Sequence, residues 1–251
     1  MRKIIIASLI VSFLVVSGCG HLIPTKTLES NNIAEPNLKL GIAYLRRGEY
    51  EKALDKLYRA KQASPNYPPI YNALGALYQQ IGKTKKAEKF YKKALSLDKS
   101  NPTTLNNYGQ FLCQEMQYDK AEKKFLEAAN NPLYRTPEIA FTNAGICAIT
   151  QNKLDLAESY LREALVKNPY LPIALLKMSE LSYGAQHHLS ARAYLQRFLE
   201  ISSHSSKSLW LGIRIERQLQ GQDALASYML LLRNKFPTSK EARFLSDSLQ
   251  K

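Results

Sequence analysis

Cysteine is scarce in this 251-residue chain: Cys19, Cys113 and Cys147 are the only three. So few thiols exclude a disulfide-dense scaffold and leave room for a single internal bridge. Histidine is almost as rare. His21 lies in the N-terminal stretch, and His187, His188 and His204 have no nearby cysteine or carboxylate at ligand spacing, so no metal is expected. A His-Glu-x-x-His helix, a Gly-x-Ser-x-Gly elbow, a P-loop and a dinucleotide fingerprint are also missing. The chain therefore reads as a non-enzyme with no cofactor and no small-molecule substrate; an enzyme with an unrecognised site is the contrasting reading. No apolar run reaches the roughly 20 residues that a membrane-spanning helix needs. Acid is in deficit: 21 Asp and Glu stand against 35 Lys and Arg, a formal charge of +14. Such a balance suits an anionic partner, whether lipid head groups, nucleic acid or an acidic protein patch.

The one sizeable apolar stretch, Ile4 to Val16, follows the basic Met1-Arg2-Lys3 and ends in Val16-Ser17-Gly18-Cys19. That is the order of parts in a secretory signal. The last four residues resemble the lipobox of bacterial lipoprotein precursors, where an aliphatic and two small residues precede the cysteine that takes up diacylglycerol. Residues 1–18 are thus expected to be a cleaved signal and Cys19 the lipidated start of the mature chain. An ordinary signal with a chance cysteine is the contrasting reading. Gly20, and not Asp, follows the cysteine; the same resemblance implies sorting to the outer membrane, facing the periplasm. Two or three acyl chains anchor stably where one does not. Losing Arg2 and Lys3 lowers the charge from +14 to +12, and a periplasmic address turns the expected anionic partner away from nucleic acid. Residues 19–33 contain Pro24 and Asn31-Asn32, lack periodicity and read as a flexible tether.

Beyond the tether, small residues recur about every 34 positions. Gly41, Gly75, Gly109, Gly145 and Gly212 share one register, with Ser179 where the missing glycine belongs. Ala53, Ala87, Ala121, Ala157, Ala191 and Ala224 follow them in step, then Leu57, Tyr91, Phe125, Leu161, Leu195 and Tyr228. Small residues at fixed places let paired helices approach closely, and the larger ones fill the seam. With Leu40-Gly41 and Tyr44, and again Leu74-Gly75 and Tyr78, the pattern resembles the tetratricopeptide repeat. The expected fold is an all-α superhelical solenoid of six copies at 34–67, 68–101, 102–137, 138–171, 172–204 and 205–238. A capping helix follows at 239–251, with Phe244, Leu245 and Leu249 on one face. Copy three carries a longer loop at 130–137, and Phe198 and Leu231 make the last two copies degenerate.

In this repeat family the first helices line a concave groove, at the second, fifth, ninth, twelfth and thirteenth positions of each copy. The resemblance thus implies a partner-binding surface that opens on Leu38, Ile42, Leu45 and Arg46. It continues through Asn72 and Gln79 to Asn106 and Gln110. Amide side chains suit a peptide backbone because each both donates and accepts. The plainer alternative is that Leu38, Ile42 and Leu45 only pack against the N-terminal segment. Chaperone-docking repeats place Lys and Asn where Leu38 and Ile42 stand, so a C-terminal carboxylate clamp is not expected. A basic run, Lys83, Lys85, Lys86, Lys89, Lys92 and Lys93 against Glu88 alone, falls mostly on a second helix and hence on the convex face. It reads as a solvated surface or as a patch for phospholipid head groups.

Cys113 is the twelfth residue of its copy and Cys147 the tenth of the next, near the ends of adjacent first helices. An oxidising compartment would bridge the pair if inward faces bring their Cα atoms within roughly 7 Å; otherwise they are two buried thiols.

A lipobox followed by six such repeats and little else resembles the PilF/PilW family of type IV pilus biogenesis lipoproteins. The likeness includes the opening stretch from Asn37 to Tyr50 and the run from Asn107 to Cys113. It implies a pilotin: an outer-membrane lipoprotein, held by its N-terminal lipid, that promotes localisation and multimerisation of the type IV pilus secretin. An adaptor that docks or activates a peptidoglycan synthase or hydrolase is the alternative with the same anchor and fold.

Overall fold

The computed structural model describes residues 25–249, with side chains from Ile33 onward. The signal at 1–18 and Cys19 lie outside that range. The described residues form thirteen helices. Six antiparallel hairpins come first: α1 (Thr25–Arg46) with α2 (Tyr50–Ala63), α3 (Pro68–Gln80) with α4 (Thr84–Leu97), α5 (Pro102–Gln114) with α6 (Tyr118–Ala129), α7 (Pro137–Thr150) with α8 (Leu154–Lys167), α9 (Pro172–Gly184) with α10 (His188–Ile201), and α11 (Ser206–Leu219) with α12 (Gln222–Lys235). Helix α13 (Lys240–Leu249) closes the stack.

Proline and short polar caps set the starts. Pro68, Pro102, Pro137 and Pro172 stand in the first turns of α3, α5, α7 and α9, where a missing N–H costs nothing. Asn101 caps α5 by accepting from the Thr104 amide at 3.0 Å, and Ser205 and Ser208 form a reciprocal capping box on α11. Within each hairpin the small residue decides the approach. A Cβ on Gly109 would stand 2.7 Å from the Phe125 ring, and one on Gly75 2.8 Å from Tyr91. In the fifth hairpin Ser179 takes the glycine place, and its hydroxyl donates to the Ala191 carbonyl at 2.8 Å, so the extra polar atom is satisfied within the buried seam.

First helices pack on the first helices of the next copies, whereas the backbones of successive second helices stay apart and only side chains bridge them, as where the Tyr160 hydroxyl of α8 donates to Glu122 of α6. The first helices therefore line the tighter, concave side, and the second helices splay apart on the convex side. The core of the described residues falls into four clusters, two of them large. One cluster runs from Leu38 to Phe125 and includes Cys147; another runs from Phe141 to Ile215. Their seam lies beside the 130–137 loop, where Asn131 donates to the Ser100 carbonyl at 2.8 Å.

Two expectations need correction here. The tether is shorter than 19–33, because α1 begins at Thr25. The stretch from Thr25 to Glu35 holds no glycine or proline, so nothing stops the helix from propagating back from the packed first hairpin. Pro36 removes one donor inside α1 without ending it, and the side-chain amide of Asn37 donates to the Ile33 carbonyl at 2.8 Å. In α13 the inward residues are Ala242 and Leu245, while Phe244 and Leu249 are exposed. Phe244 lies beside Trp210 instead, with ring centroids 6.0 Å apart.

Candidate partner-binding surface

The structure redistributes the expected groove. Leu38 is core and not groove, only 5 % exposed within the first cluster. At the fifth position of a copy a side chain turns toward the neighbouring first helix, and beside α3 that space is apolar. Ile42 and Leu45 are half-buried against the same cluster, and Arg46 is exposed. The amides are not free for a peptide either. Asn107 donates to Asn72 at 3.1 Å, Asn143 to Asn106 at 2.9 Å, and Gln79 to Gln114 at 2.7 Å. They form a ladder that ties α3, α5 and α7 together. The oxygen of Gln79 also accepts from the Tyr91 hydroxyl at 2.7 Å, which gives this largely enclosed phenol a partner. Burial holds the Tyr91 phenol far above its ordinary pKa, so the hydroxyl stays a donor.

Of the groove residues, Gln110 opens onto free concave space. A cavity of about 530 Å³ lies between α5 and α7. Buried Phe125 and Cys147 form its floor with half-buried Cys113, while Gln110, Gln114, Ile146 and Thr150 rim it. Cys113 and Cys147 are joined, with Cα atoms 6.0 Å apart, so a disulfide holds the two helices that make the cavity walls. Met116, 73 % exposed, overhangs one side. An apolar floor with Gln110 at its rim can take an apolar side chain, while the Gln110 amide and the remaining donor sites of Gln114 bond the backbone that carries it.

Met116, Tyr118 and Asn143 were not among the expected groove residues. For Met116 the signal was in the sequence: it stands in the register of Gly48 and Gly82, the turns between paired helices. All three have positive φ, 75° and 70° at the glycines and 57° at Met116. A methionine in a place that favours glycine marks the turn as unusual. Among the described residues no group of three or more His, Cys, Asp or Glu converges, and no helix is long and apolar enough to cross a membrane.

Tetratricopeptide repeat family models match residues 32–100 and 90–123. The type IV pilus assembly protein PilF of Pseudomonas aeruginosa is 33 % identical over 229 residues, 90 % of this chain and 91 % of that protein. The chain belongs to the PilF family. The solved structure of P. aeruginosa PilF superposes with a TM-score of 0.77 at 31 % identity, covering 88 % of this chain and 99 % of the other. That of PilW, described as a widely conserved type IV pilus biogenesis factor, gives 0.75 at 27 % identity, covering 86 % and 98 %. As a PilF-family member the protein works in type IV pilus biogenesis, and its tetratricopeptide fold is one that serves protein–protein interaction.

Proposed function

We propose that this protein is an outer-membrane lipoprotein, anchored through Cys19 and facing the periplasm, that assembles the type IV pilus secretin. The family membership supports the process, and the lipobox supports the anchor. The observation that carries the reading is the open cavity at the disulfide-linked third and fourth copies. It is a rigid, concave, partly apolar site of a size that takes one or two side chains of a partner segment. Such a scaffold needs no catalysis. Holding a secretin segment at the membrane raises its effective concentration there and makes subunit–subunit association an intramolecular step.

Cys19→Ala tests the anchor and the assembly together. Lipid burial contributes about 0.8 kcal/mol per methylene, so the variant is expected to be folded but lost from the outer-membrane fraction. Secretin monomers should accumulate in place of multimers. Firm outer-membrane retention of the variant would contradict the anchor. Capture of a peptidoglycan synthase or hydrolase from solubilised envelope, with secretin multimers unchanged, would contradict the choice of partner.

A further inference from the structure

Because the backbones of α2 and α4 stand apart, a cleft of about 450 Å³ runs between them on the convex face, bridged by Lys61 of α2 reaching over the Phe90 ring of α4 at 6.0 Å. Tyr71 of α3 and half-buried Phe90 of α4 line its apolar floor. Lys61 of α2 and Lys86, Lys89 and Lys93 of α4 rim it, the last three at helical spacing along one face. Among the described residues none of these four pairs with a carboxylate. Glu88 is taken by Lys92 at 2.7 Å, and Asp55 by Lys56 at 3.2 Å and Arg59 at 2.9 Å. Three of the ammonium groups lie over rings instead: Lys61 at 5.2 Å from the Tyr58 centroid, Lys86 at 5.1 Å from Tyr78, and Lys93 at 5.9 Å from Tyr71. A ring face orients a cation without cancelling its charge. Four like charges around one apolar floor repel each other until an anion sits among them.

We propose that this cleft docks on the anionic phospholipid head groups of a membrane surface. Phosphates sit among the ammonium heads at the rim, and the aliphatic part of a head group rests on the Phe90 ring and the lysine stems beneath. Chain direction favours a membrane over an acidic protein. A short turn joins α1 to α2, so α2 ends, and α3 begins, at the end of the layer from which α1 starts. Lys61, Tyr71 and Lys93 stand at that end, and Cys19 precedes α1 by a short stretch of chain. The choice of a membrane thus rests on the proposed lipidation of Cys19. Docking by the convex face would leave the concave cavity open to the periplasm.

The test uses the mature chain carrying Cys19→Ser, and therefore no lipid, in flotation with two vesicle types. One is phosphatidylethanolamine containing phosphatidylglycerol; the other is phosphatidylcholine alone. Each lysine near an anionic surface changes partition on the order of fivefold, so Lys86→Ala with Lys93→Ala should weaken binding to the anionic vesicles about 25-fold. Lys153→Ala with Lys167→Ala removes the same charge from the fourth copy and should change binding less than about twofold. Equal loss from both pairs, equal binding to both vesicle types, or binding of polyglutamate in place of the anionic vesicles would overturn the proposal. None of these outcomes bears on lipidation, which fractionation of Cys19→Ala reads separately.

Discussion

At the scale of single residues, the six turns inside the hairpins carry one repeated demand. Each places a residue at positive φ: Gly48, Gly82, Met116, Asn152, Gln186 and Gln220. Glycine meets it without strain and asparagine nearly so, whereas an unbranched apolar side chain costs about 1 kcal/mol or more. Met116→Gly is therefore expected to raise stability by about 0.5–1 kcal/mol, read as a higher denaturation midpoint at unchanged slope. If the exposed Met116 side chain also meets the partner over the cavity, the same variant loses secretin multimers while gaining stability. The repeat positions themselves were readable residue by residue, because Gly109 against Phe125 and Gly75 against Tyr91 leave room for nothing else. The fate of the polar groove residues was not readable. Whether Asn106 faces a ligand or bonds Asn143 depends on the rotation of one helix against the next, which repeat spacing does not specify.

At the scale of elements, the junction between the third and fourth hairpins is fastened in several ways at once. The connecting loop is longest there, yet α6 packs along α7, Tyr160 of α8 bonds Glu122 of α6, and α5 and α7 are joined by the Asn106–Asn143 bond and the Cys113–Cys147 disulfide. A hydrogen bond of this kind contributes about 1 kcal/mol, whereas closing a loop of 34 residues is worth roughly 3.5–4 kcal/mol in the chain-entropy model. The disulfide is thus the stronger of these two links, one covalent and one polar. Replacing both cysteines by serine should cost about that much stability, and alkylation of the denatured, unreduced mature protein should label neither Cys113 nor Cys147. Two labelled thiols would show that the bridge does not form. A second fastening lies further along, where Arg192 bonds Glu216 through both guanidinium arms and Glu216 is only 2 % exposed. Repeat spacing gave no hint of that pair, because it joins α10 to α11 in the degenerate copies, where side-chain chemistry replaces the small-residue seam.

At the scale of the whole molecule, the solenoid presents different chemistries on its two sides. Its concave side offers an apolar pocket with amides at the third and fourth copies. Its convex side offers unpaired lysines over aromatic rings at the first two. The architecture was legible because a period of about 34 residues with small residues in register admits few other folds. The location of the concave site was not, since Leu38 was absorbed into the core and the amides of α3 into helix–helix bonds. What remains open is the space around Gln110 and Thr150. The most direct measurement is the yield of detergent-resistant secretin multimers in cells whose only copy carries Gln110→Arg with Thr150→Arg. Both side chains stand at the cavity rim, so the variant should fold and reach the outer membrane at the normal level. Its affinity for secretin should fall about thirtyfold or more, the scale of one lost interface anchor, and multimers should disappear with it. Normal multimers from a folded, correctly placed variant would contradict the assignment of this cavity as the secretin site.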